Sequence, residues 1–180
     1  MPLFLRLSAT EWMGDTDLGR ELGSWTVSDT IAITKIAADL CVDLLDVSSG
    51  GNHPQQRINM FESKDYQTRI ASQIRQELKL AGKTMLIGAV GLITEAEQAR
   101  DIVATDGSTR QPDTTSTIDS EAQEAVQLID SRGGQDPSAD VVLVARQFMR
   151  EPEWVLKVAW RLGLDIAWPA QFNRVRFPKL

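Results

Sequence analysis

Three features of this sequence carry residue types able to do chemistry. Arg6 stands within the apolar run Leu3-Phe-Leu-Arg-Leu7. A guanidinium in such a strand is costly unless it meets a charge or an electron-rich ligand, so an ion pair with Asp46 or a ligand contact is expected. Gly50-Gly51 and Gly88-Ala-Val-Gly91 each end an apolar run. Glycines there let backbone amides approach a phosphate, and they also simply make turns. Arg146 lies just past a later apolar run, where its planar fork beside such amides suits a phosphate.

Other reactive residue types read as bland. His53 is the only histidine and lies in a loop before Pro54, the place of a surface group. A lone histidine excludes a multi-histidine metal site within this sequence, and no metal is expected. Cys41, the only cysteine, lies in an apolar stretch and reads as a buried, inert thiol of a reducing compartment. Trp12, Trp25, Trp154, Trp160 and Trp168 are scattered, so they form no stacking platform for single strands. Lys157, Arg161, Arg174, Arg176 and Lys179 make the carboxyl-terminal end basic, which reads as a solvated face.

Bulk composition narrows the class. The 180 residues are 42% apolar and 24% charged, as in soluble folded domains. The net charge of −6 argues against wholesale binding of a nucleic-acid backbone. Nothing approaches the ~18 consecutive apolar residues of a membrane span, and the first residues are too short for a secretory signal. A cytoplasmic location, with neither membrane nor nucleic acid as partner, is expected.

The elements that must position these residues alternate between strand and helix. Apolar runs predict strands at Leu3–Leu7, Val42–Val47, Thr84–Ala89 and Val141–Ala145. A capping box at Thr26 and Asp29 opens a helix on which Ile33, Ile36, Ala37 and Leu40 recur at helical spacing. Ile70, Ile74 and Leu78 mark the next helix, and Thr94 with Glu97 predicts another capped helix to about Ala104. Pro152 suits the first turn of the helix after the fourth strand. The polar stretch Thr105–Ser120 reads as a surface insertion, and Glu121–Asp130 as a helix stopped by Gly133-Gly134. Near-continuous apolar strands predict a parallel sheet buried on both faces, either a small open α/β sheet or half a closed barrel. Ligands of such sheets collect at the carboxyl ends of the strands.

Taken together, four segments resemble the Old Yellow Enzyme family of FMN-dependent NAD(P)H oxidoreductases, also called ene-reductases or NADH:flavin oxidoreductases. They are Phe4-Leu-Arg-Leu-Ser-Ala-Thr-Glu-Trp12, Asp43-Leu-Leu-Asp-Val-Ser-Ser-Gly-Gly-Asn-His-Pro54, Gly88-Ala-Val-Gly-Leu-Ile-Thr94 and Asp140-Val-Val-Leu-Val-Ala-Arg-Gln-Phe-Met-Arg-Glu-Pro152. Trp168-Pro-Ala-Gln-Phe-Asn-Arg174 is similar to the tail of the family's bacterial-type branch, and the wording is closest to its fungal members. The resemblance spans almost the whole chain except the insertion.

The resemblance implies a TIM-type (β/α)₈ barrel, with these four units as strands five to eight, so that residues 1–180 form one partial domain. It implies FMN as cofactor, NAD(P)H as reductant and an electron-poor alkene as substrate. Arg6 matches the arginine beside the N1/O2 edge of the flavin, where negative charge develops on reduction. Val90-Gly91 and Ala145-Arg146 match the loops that hold the FMN phosphate, with Ala145 where the family usually has glycine. Arg174 matches a tail arginine that reaches a neighbouring subunit's active site. The family's substrate-binding histidines and proton-donor tyrosine have no counterpart: neither His53 nor Tyr66 matches them. No catalytic residue is therefore assigned. A full barrel needs ~250 residues, so a truncated half is expected, inactive alone. It would pair with a complementary chain or with itself, or bind FMN or another phosphate ligand without chemistry.

Overall fold

The computed structural model describes residues 1–58, 63–104 and 136–175. Four parallel strands lie side by side in chain order: β1 (Phe4–Ser8), β2 (Leu44–Ser48), β3 (Leu86–Val90) and β4 (Val141–Leu143). Between and after them run α1 (Asp17–Leu22), α2 (Val27–Asp39), α3 (Tyr66–Leu80), α4 (Ala96–Val103), α5 (Arg146–Arg150) and α6 (Trp154–Arg161), then a 3₁₀ turn over Ala170–Val175. This is an α/β fold with an open sheet, its outer strands β1 and β4. The predicted insertion, the Glu121–Asp130 helix with its Gly133-Gly134 stop, and the basic residues Arg176 and Lys179 lie outside the described residues.

The strands form where the apolar runs predict them, because alternate apolar side chains pack against the helices. Leu45, Val47, Ile87 and Ala89 join Ile70, Ile74 and Leu78 of α3 and Ile102 of α4 in one core, with Leu5, Leu7 and Val142 packed against it. The other face differs from expectation. It carries Phe4, exposed, and the Arg6–Asp46 pair, and only the helix-facing side is a continuous apolar layer. Aspartates anchor the strands at their amino ends. The Asp43 carboxylate accepts from the Leu3 amide at 2.6 Å, and that of Asp140 from the Ile87 amide at 2.8 Å and from Arg75 Nε at 3.0 Å.

Four local expectations are corrected. On α2 the Thr26–Asp29 capping box is present, but Ile33, Ile36 and Leu40 face outward. The buried stripe is Val27, Thr30, Thr34 and Ala37, because the Thr30 hydroxyl donates to the Ala9 carbonyl at 2.9 Å and accepts from Trp25 Nε1 at 2.7 Å. At α4, Thr94 is no cap; its amide donates to Gln98 Oε1 at 3.1 Å and the helix starts after Glu95. Pro152 precedes α6 rather than entering its first turn, since Glu153 is the N-cap and the short α5 intervenes.

Cys41 is the fourth correction: it is exposed, not buried. It has φ +60° and follows the C-cap of α2, where the Cys41 amide donates to the Ala38 carbonyl and the Val42 amide to that of Ala37. Gly82 after α3 (φ +64°) and Gly163 after α6 (φ +66°) hold the same place in the same bonding pattern. That left-handed position favours glycine, so the cysteine is strained there. Among the described residues, no helix is long and apolar enough to cross a membrane.

Ile74, fully buried in the core, should lose about 2–5 kcal/mol of folding stability as Ile74→Ala, read by urea unfolding. Cys41 should react with a thiol reagent in the native protein at the rate of a free thiol. Cys41→Gly should stabilise the fold by up to about 1 kcal/mol; a lower melting temperature would refute the strain.

Candidate functional site

The site follows from strand direction. Because the strands are parallel, their carboxyl ends open at one edge of the sheet, and a cavity of about 640 Å³ lies there. Each strand supplies part of the wall: Arg6 and Ser8 from β1, Ser48 to Asn52 after β2, Val90 to Thr94 after β3 and Leu143 to Gln147 after β4. The volume falls within the range of cofactor-sized sites. Its lining contains Arg6, Arg146 and Arg150 and, among the described residues, no carboxylate. The cavity is thus cationic in a chain of net charge −6.

Register explains how Arg6 sits in a strand. Arg6 pairs directly with Asp46 on β2, and Asp46 with Gly88 on β3. Alternation places these side chains on the cavity side of the sheet. Arg6 Nη1 donates to Asp46 Oδ2 at 2.9 Å, with the arginine side chain 62% exposed and the aspartate 15%. The guanidinium is therefore not buried, and of the two sequence expectations the ion pair is observed, beside an open cavity. Burial pushes the Asp46 carboxyl above the usual carboxylate range, against the opposing pull of Arg6. Among the described residues Asp46 Oδ1 is buried without a hydrogen-bond partner.

The loops that meet Arg6 are held by a residue sequence reasoning missed. Gln67, 5% exposed at the start of α3, accepts the Ser49 amide on its Oε1 at 2.7 Å and donates from Nε2 to the Val90 carbonyl at 2.7 Å. One side-chain amide thereby ties the end of β2 to the end of β3. Gly91, at φ +108°, is the only fit beside it: a Cβ there would stand 2.3 Å from Gln67 Nε2. Leu92 follows at φ +52°, so the turn after β3 has two successive positive-φ residues and carries strain at the leucine. The available signal was periodicity, since Gln67 lies one turn before Ile70 and Ala71 on the buried stripe of α3.

All five residues matched to cofactor binding, Arg6, Val90, Gly91, Ala145 and Arg146, line this one cavity. Ala145 has φ −123°, so it does not take the left-handed conformation that favours glycine. Arg174 is exposed on the 3₁₀ turn and does not line the cavity. His53 is likewise exposed and outside it, its Nδ1 accepting from the Gln55 amide at 3.2 Å. Tyr66, expected only as a helix residue, lines the cavity wall, and its ring packs at a tilt on Trp12 with centroids 6.4 Å apart.

Comparison with known proteins agrees with the family that the motifs suggest. No protein-family model matches the chain. NADPH dehydrogenases of Halalkalibacterium halodurans and Bacillus velezensis are 32% and 30% identical to it over 173 residues, covering 96% of this chain. An NADH:flavin oxidoreductase of Gibberella zeae is 36% identical over 104 residues, 57% of this chain and 24% of its own length. The chain spans 37% of the length of the two dehydrogenases.

Gln67→Leu should cost about 1–3 kcal/mol for each buried group it leaves unpaired, measured by urea unfolding. Asp46 supplies a pH signature. Its raised native pKa means that the fold favours the protonated acid, so its contribution is full below the ordinary aspartate value, about 3.9, and is lost as pH rises through the native value. The stability of the wild type minus that of Asp46→Asn should therefore fall as pH rises from about 3 through the carboxylate range. A difference that rises over this window would overturn the assignment.

Proposed function

We propose that this chain, a relative of the NADPH dehydrogenases and NADH:flavin oxidoreductases of the Old Yellow Enzyme family, supplies the carboxyl-terminal four βα units of a (β/α)₈ oxidoreductase barrel and binds FMN. One observation carries the reading: a cavity lined by three arginines, and by no carboxylate among the described residues, at the carboxyl ends of a parallel sheet. Helix packing on one face supports the barrel, since the cavity-side face of the strands is then its interior. In this reading residues 1–180 are one partial domain; the expected 105–120 insertion lies outside the described residues.

The residues present fit that cofactor. Val90 and the left-handed Gly91, whose Cβ place is taken by the Gln67 amide, line the cavity together with Arg146 and Arg150. Val90-Gly91 and Ala145-Arg146 would hold the phosphate, with Arg146 as its principal cation. Arg6 would lie at the flavin's N1/O2 edge, and Asp46 orients its guanidinium by the 2.9 Å contact. When bound, FMN supplies hydride transfer between NAD(P)H and an electron-poor alkene. Arg6 would stabilise the negative charge of the reduced state because its cation is already in place. No side chain of the chain is assigned to bind the alkene or to protonate it. The isolated chain is accordingly expected to bind flavin with little or no turnover, in a cytoplasmic, reducing setting that suits an exposed thiol.

A second reading concerns assembly. Phe4 on the edge strand and Ile33, Ile36 and Leu40 on α2 expose apolar surface, and an unpaired parallel edge favours pairing with another chain. A complementary segment or a second copy would cover it, and Arg174 would then be free to reach a neighbouring site. Elution as a clean monomer at high concentration would count against this reading.

The direct experiment is the absorbance spectrum after incubation with FMN and desalting. Retained flavin is expected, and a colourless, folded chain would overturn the proposal. Arg146→Ala should weaken FMN binding roughly ten- to hundredfold, as for loss of hydrogen bonds to a charged group. Arg6→Ala should lower the midpoint potential of the bound flavin, and an unchanged potential would remove its assigned role.

A further inference from the structure

Tyr66 is the one phenol of this sequence, and no part of the reading above uses it. It is the first residue of α3, half-buried, with its ring packed against the buried Trp12 and its edge in the cavity wall. Its neighbour Gln67 is locked to the ends of β2 and β3, which fixes where the helix begins. The hydroxyl stands close to Gly91: it is 3.8 Å from the position a Cβ on that glycine would take. No described residue accepts a hydrogen bond from it. Arg146 is near enough to exert a direct charge effect on the phenol.

We propose that the Tyr66 hydroxyl is a binding residue of this cavity, donating a hydrogen bond to the phosphate group of the ligand held by Gly91 and Arg146. The inference rests on the anion-binding reading of the cavity. Its chemistry follows from three features. A phenol anchored on Trp12 is pre-positioned, so little side-chain freedom is lost when it donates. Beside Arg146 it adds a neutral donor rather than a further cation, so it lends direction to a contact whose strength comes from the arginine. Burial raises the phenol's pKa beyond the opposing effect of Arg146, which keeps the proton on the oxygen that must donate it. The same donor would serve a phosphomonoester or inorganic phosphate, but would do nothing for a ligand lacking phosphate.

Because Tyr66 is the only tyrosine, 3-fluorotyrosine incorporation gives the full chain a single ¹⁹F resonance that reports this side chain without a substitution. Titration with inorganic phosphate, FMN and riboflavin separates the outcomes. A saturable shift with phosphate and with FMN, but not with riboflavin, is expected. Arg146→Gln should weaken that response. If phosphate shifts the resonance while FMN does not bind, Tyr66 stands as an anion donor and the flavin reading fails. FMN binding that leaves the resonance unmoved, an equal response to riboflavin, or no response to any phosphate would each overturn the role. Tyr66→Phe should lower the preference for FMN over riboflavin roughly ten- to hundredfold, as for loss of one hydrogen bond to a charged group. It keeps the ring on Trp12, so a merely structural tyrosine would leave that preference unchanged.

Discussion

Every feature of the candidate site depends on the four strands running in one direction. A parallel sheet sends all its carboxyl-terminal loops to the same edge, so residues from 6 to 150 meet in one cavity although long stretches of chain separate them. Register then sets the chemistry within a layer. Arg6 lies opposite Asp46 and Asp46 opposite Gly88, so the charged pair occupies one row across the sheet. A shift of one residue in β1 would turn Arg6 into the core and Leu5 or Leu7 out of it. The apolar alternation of β1 therefore protects the position of the arginine.

Charge is divided unevenly over the molecule. On the helical side, lysines and arginines are paired with acids: Lys35 with Glu77, Lys79 with Asp136, Lys83 with Asp39 and Arg75 with Asp140. Exposed pairs of this kind contribute little to stability, but they leave no excess of positive charge there. At the cavity Arg146 and Arg150 have no ion pair with a described residue, and Arg6 shares only Asp46. An overall acidic chain thus presents a local cationic hollow, where low-dielectric walls raise the attraction for an anion. The cost appears at Asp46, whose desolvation outweighs the help of Arg6.

Gln67 shows why a polar residue can organise such a site at lower cost than an ion. Its amide donates to one loop and accepts from the next, so both of its functional atoms are satisfied and no charge is desolvated. The positive-φ turn at Gly91-Leu92 is held against this amide. Strain in the turn and order in the bridge are two sides of one arrangement: position 91 needs glycine because Gln67 occupies the space a side chain would take.

The sequence by itself determined the elements and the direction of the sheet. The apolar runs at β1 to β3, the Ile70-Ile74-Leu78 stripe and the Thr26–Asp29 box are local signals, and local physics decides them. It also carries a family resemblance, in short motifs around Arg6, Gly91 and Arg146. What tertiary structure alone decided was orientation and partnership. Ile33, Ile36 and Leu40 face outward because the Thr30 hydroxyl is needed by the Ala9 carbonyl, a contact across 21 positions that no periodicity records. Cys41 is exposed because α2 ends two residues before it, in a turn that sends its side chain away from the core. Gln67 and Tyr66 read as ordinary residues at the start of a helix; they become a bridge and a cavity wall only when α3 packs over the ends of β2 and β3. Spacing along a chain records which residues share a face, whereas a site needs distances between faces, and those arise only on folding.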